Sequence, residues 1–154
     1  MRKLPDAIAI IGLVVMFACV GVFWSQLPAL VPTHIGASGS PTSYGPKVSI
    51  WTLPIVGLLL YCFLTLISLI PMRFNSSSKA MAAQLQPLTL ELVGWLKAEV
   101  VWIFAWLNWT ILQISLGRSS GLSPAFPAVS LGAVILTLAV FVIRVVKLSR
   151  GNSQ

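Results

Sequence analysis

The sequence predicts an all-α integral membrane protein, a single bundle of four transmembrane helices. Three observations predict it. First, 57% of the 154 residues are hydrophobic and 8% are charged, whereas a soluble domain carries about 25% charged residues; a water-facing surface could not be covered from this inventory. Second, the chain holds four apolar runs, each near or above the roughly 20 residues that a helix needs to cross about 30 Å of hydrocarbon. Third, these runs lack the alternation of barrel strands, and backbone groups in lipid must bond within a helix or a closed barrel. The length suits one membrane domain over residues 1–154.

Helix one is expected over residues 7–26. It follows Arg2 and Lys3, has Asp6 near its N-cap, and carries no charge from Ala7 to Ser25. Its start resembles a secretory signal, but the apolar run is long. Val22-Phe23-Trp24 also stands where small cleavage-site residues belong, so the helix reads as uncleaved. Helix two, residues 48–70, is equally free of charge; Pro54 is a candidate break close to one end. Helix three, residues 92–116, has Lys97 and Glu99 near its start, and helix four covers residues 125–146. Between helices two and three, Arg73–Glu91 reads as a solvated connector. In it, Ser76 to Ser78 cap a short helix through Gln84, and Pro87 suits the first turn of helix three.

The net charge of +7 invites a nucleic-acid partner. The basic residues are singles and pairs at the edges of apolar runs, however, so membrane lipid is the expected partner and nucleic acid is not. Arg2, Lys3, Arg73, Lys79, Lys97, Arg144, Lys147 and Arg150 gather at one set of helix ends, against Lys47 and Arg118 at the other. The bias puts both termini in the cytoplasm and makes the Pro/Gly-rich loop between helices one and two extracytoplasmic. Trp24 and Trp51 fall near the outer ends of helices one and two, where tryptophan favours the interface. Cys19 and Cys62 lie about 12 Å and 21 Å below those ends, depths that do not suit a disulfide, and both read as small apolar packing residues.

The catalytic inventory is poor. His34 has no acid or cysteine near it in sequence to build a triad or a metal site, and no Gly-rich phosphate loop opens on a helix. We expect no enzyme, no cofactor and no metal. Helix three is less bland. Glu91, Trp95, Glu99, Trp102, Trp106, Trp109 and Gln113 share a face about 80° wide at helical spacing, with Lys97 and Asn108 opposite. Either this stripe is a packing or lipid-facing seam, or Glu99, Trp102, Trp106, Trp109 and Gln113 line an intramembrane groove for an amphipathic ligand. An acid within a span is a functional hypothesis by default.

The outer loop, LPALVPTHIGASGSPTSYGPK from Leu27 to Lys47, combines four prolines with three glycines. Such a mixture specifies a compact loop rather than a floppy linker. Lys47 stands at the start of helix two, where the helix dipole disfavours a cation, so a headgroup, loop carbonyls or an anionic ligand should offset it. This loop, followed by VSIWTLP, resembles the bacterial membrane family known as domain of unknown function 1648, which includes the SdpI-type immunity proteins. Leu27, Pro28, Pro32, Thr33, His34, Gly39, Pro41, Lys47 and Pro54 carry the resemblance, over about residues 12–60. Ile35 replaces a frequent aromatic residue and Thr42 a frequent acid.

The resemblance implies a multi-pass protein of the bacterial inner membrane. Its partners would be a secreted peptide or a cytoplasmic regulator, as for immunity proteins that protect against a killing peptide and hold a repressor at the membrane. The candidate binding residues are Pro32, Thr33, His34, Gly39, Pro41 and Lys47, which either fix the loop by hydrogen bonds or bind a ligand at the outer surface. The expected function is a non-enzymatic immunity, envelope-protection or binding module. A small transporter, or an accessory subunit of a membrane complex, is the alternative.

Overall fold

A computed structural model describes residues 3–70 and 79–151. Helix α1 (Lys3–Phe23) ends in a 3-10 turn at Trp24–Gln26. A two-stranded antiparallel hairpin follows, β1 (Leu30–Ile35) and β2 (Pro41–Pro46). A second 3-10 turn (Lys47–Trp51) leads into α2 (Thr52–Leu69); α3 (Lys79–Ser115) and α4 (Ala125–Gly151) complete the chain.

The helices α1, α2 and α4 each pack on α3, which is the centre of the bundle. Three segments are long and apolar enough to cross a membrane: Lys3–Gln26, Lys47–Leu69 and Ala125–Arg150. Their surfaces expose Ile10, Val14, Leu59, Leu66, Leu131 and Leu136. A continuous apolar exterior of this kind would be a liability in water and suits hydrocarbon. The central α3 interleaves its apolar residues with Lys97, Glu99, Asn108 and Gln113, and its neighbours shield much of that polarity.

Two buried clusters hold the bundle. Ala9, Leu13 and Met16 of α1 meet Ala98, Val101 and Ala105 of α3. Nearer the hairpin, Val20, Leu27, Val31, Ile50 and Leu112 form a second cluster. Gly12 sets the α1–α3 approach: a Cβ there would come 2.8 Å from Val101 Cγ1.

The structure departs from the sequence reading in three places. The loop between helices one and two contains strands, so the protein is not purely α. Prolines are confined to edge strands, and in a two-stranded ribbon both strands are edges, which lets Pro32, Pro41 and Pro46 take part. The register slips between Pro32 and His34 and again between His34 and Ile35. Second, α3 starts at Lys79 rather than at residue 92 and runs unbroken through Pro87. At 37 residues it is about 55 Å long, so the expected connector is helix from residue 79; the Ser76–Ser78 cap lies outside the described residues. Third, Pro54 breaks nothing. It occupies the first turn of α2, where a missing N–H costs little.

Candidate functional site

The hairpin is held at both ends. At its base the Lys47 amide donates to the Ala29 carbonyl (2.9 Å), and the fully buried Val31 anchors β1 in the cluster around Val20 and Leu112. At its tip the Gly36 amide donates to the Ser40 carbonyl, and Gly39 takes φ +82°, a left-handed conformation open to glycine. The tip presses on the turn between α3 and α4: the Leu122 amide donates to the Gly39 carbonyl (2.8 Å). A Cβ on Gly121 would come 2.5 Å from that carbonyl oxygen, so Gly121 is required by the close approach. The turn itself leaves α3 through Gly117 at φ +70°. The Arg118 amide donates to Gln113 and the Gly117 amide to Ile114, a Schellman closure.

On this hairpin the candidate residues part company. Lys47 Nζ lies 4.6 Å from the centroid of Trp24, which in turn stacks against Trp51. The indole face therefore supplies the offset that the sequence left to a headgroup, carbonyls or a ligand. Thr33 Oγ1 and Ser43 Oγ are 3.2 Å apart across the strands, and Pro32 is buried. His34 is exposed. Its expected hydrogen bonds to loop carbonyls are not among those formed by the described residues.

The tryptophan stripe of α3 divides into two cavities along the seam with α4. The larger, about 470 Å³, lies toward the hairpin and is lined by Glu99, Trp102, Trp106 and Trp109, with Asn108, Ser130 and three α1 residues including Cys19. The second, about 450 Å³, holds Glu91, Trp95, Thr137 and Arg144. Gln113 lines neither. The Glu99–Thr137 contact stands between them: the Thr137 hydroxyl donates to Glu99 Oε1. Trp102 Nε1 donates to the Ile8 carbonyl (3.0 Å), and Trp106 meets Phe126 edge-on at 5.0 Å. Asn108 Nδ2 faces the Met16 carbonyl at 3.4 Å. Three buried polar atoms lack a partner among the described residues, Glu99 Oε2, Asn108 Oδ1 and Ser130 Oγ, and all three residues line the larger cavity.

Sequence reasoning missed the ion pair of Lys97. Its ammonium lies 2.5 Å from Asp6 Oδ1, donates to Thr65 Oγ1 (3.0 Å) and sits 4.6 Å from the centre of the Tyr61 ring. The Thr65 hydroxyl in turn donates to the Tyr61 carbonyl (2.7 Å). Asp6 reads locally as a helix cap. The signal that could have found the pair is depth: Asp6 opens helix one and Lys97 lies in the first part of helix three, both on the basic side. A second cross-helix pair joins Glu91 to Arg144 at 3.1 Å. Both cysteines are free. Among the described residues no three His, Cys, Asp or Glu side chains gather to hold a metal ion.

No curated protein and no solved structure matches the chain. A family model does match the segment just described as a pinned hairpin with its flanking helices: residues 11–58, from α1 into α2, are similar to a domain of unknown function, DUF1648.

Proposed function

We propose that the protein is a non-enzymatic, four-span protein of the bacterial inner membrane, with both termini cytoplasmic, whose hairpin is an outward-facing recognition surface. It works as a binding or envelope-protection module of the immunity type. The observation that carries this reading is His34. It stands exposed on a hairpin that is pinned at its base, its buried face and its tip. A polar side chain on so fixed a scaffold is pre-organised for a partner, and ordering costs at binding are small. The charge asymmetry of the helix ends supports the orientation. The central position of α3 supports counting it as a fourth span, because α1, α2 and α4 all cover it.

The test is recovery of partners from native membranes, read by mass spectrometry. We expect a secreted peptide or an envelope component to come with the wild-type protein and to be lost with His34→Ala at unchanged expression and insertion. Equal recovery with both proteins would sink the hairpin reading. A second reading, a small transporter, is favoured by one observation: Glu99 is an acid inside the bundle, between two cavities. Solute flux in proteoliposomes that disappears in Glu99→Gln would favour it.

A further inference from the structure

The chain has three acidic side chains, and the fold gives cations to two of them. Asp6 has Lys97 and Glu91 has Arg144. Glu99 has the Thr137 hydroxyl on one oxygen, while its buried Oε2 has no partner among the described residues. A carboxylate in apolar surroundings is costly unless a cation or several donors meet it. Here the unmet oxygen belongs to a residue lining a cavity of about 470 Å³, within the usual size of a small-molecule site.

We propose that this cavity binds a lipophilic ammonium ion. The ammonium donates N–H bonds to Glu99 Oε2, and the apolar body of the ligand lies along Trp102, Trp106 and Trp109. Two observations choose this class. The cavity lining contains an acid and no lysine or arginine, so an anion would meet repulsion with nothing to balance it. Three indoles line the same wall, and an indole face attracts a cation. A neutral acyl chain would fill the space and leave Glu99 Oε2 unmet. The α3 wall from Glu99 to Trp109 rises about 15 Å, enough for a head at one end and a long apolar body beyond it. The inference stands apart from the hairpin reading, since it uses none of the hairpin residues.

The experiment titrates dodecylammonium, and separately dodecanol, into the full chain in phosphatidylcholine nanodiscs, following tryptophan emission. Empty nanodiscs correct for partitioning. We expect saturable binding of dodecylammonium, with dodecanol at least about tenfold weaker, the loss anticipated for a hydrogen bond to a charged group. Glu99→Gln should lose a similar factor and Glu91→Gln should not. Equal affinity for the two probes, or partitioning no greater than into empty nanodiscs, would overturn the proposal. The comparison of probes uses the wild-type protein alone, so it decides the matter even where Glu99→Gln fails to fold.

Discussion

Lys97 and Glu99 stand two residues apart on α3, and the helix turns them toward different neighbours. Lys97 meets the α1–α2 side, where a carboxylate, a hydroxyl and an aromatic face receive it, and its side chain is 4% exposed. Glu99 meets α4, where one hydroxyl receives it and one oxygen goes unmet. One side of the central helix has its charge neutralised within the fold. The other keeps a carboxyl oxygen for which the described residues offer no partner. The hydrogen-bonding of Lys97 is complete within the fold and that of Glu99 is not.

The largest effect should come from breaking the complete side. Asp6→Ala leaves the buried Lys97 ammonium without its counterion, and we expect a loss of about 2 kcal/mol, below the range for a fully buried pair because the Asp6 side chain is 42% exposed and Thr65 and Tyr61 still face the ammonium. Thermal unfolding in detergent measures it. Glu99→Gln abandons no cation and keeps the bond to Thr137, so its cost should stay below about 1 kcal/mol. If the two substitutions destabilise equally, the contrast between the two sides of α3 fails.

The next effect tests whether the hairpin is part of the bundle or an appendage on it. Gly121 has no left-handed φ to protect, so Gly121→Ala acts through the clash with the Gly39 carbonyl at 2.5 Å. We expect the Leu122 amide, which bonds that carbonyl, to exchange its hydrogen about tenfold faster, at a cost of about 1–2 kcal/mol. Unchanged exchange at Leu122 would show a tip that does not depend on the α3–α4 turn.

These contacts explain why only part of the molecule is legible in the sequence. The apolar runs at helices one, two and four coincide with the three segments long and apolar enough to cross a membrane, and the helical spacing of Trp102, Trp106 and Trp109 matches the shared cavity wall they form, because both signals are local. The strands are not legible. Pro32, Pro41 and Pro46 argue locally against a sheet, and their tolerance follows from having no outer neighbour strand. The start of α3 is obscured by Pro87, whose cost in the helix is met by context. The Lys97–Asp6 pair joins residues 91 positions apart, and no local pattern records it. The match to DUF1648 ends at residue 58, so Leu122, which pins the hairpin tip, comes from outside the matched segment.

The smallest effects separate the two charged residues of the hairpin, which the sequence left as a pair. Lys47 is committed to Trp24, so Lys47→Ala should cost about 0.5–1 kcal/mol, the worth of a cation–π contact near a surface. It should also shift tryptophan emission, because Trp24 and Trp51 stack at 5.9 Å beneath it. His34 is exposed, so His34→Ala should leave the unfolding midpoint and the emission unchanged. A residue held for stability moves the first measurement, and one held for a partner moves recovery of that partner alone. Should His34→Ala destabilise the protein as Lys47→Ala does, both side chains belong to the hairpin's own architecture, and the recognition surface must be sought elsewhere on it. With Lys47 moving stability and His34 moving only partner recovery, the hairpin divides into a lysine that fastens it and a histidine that it displays.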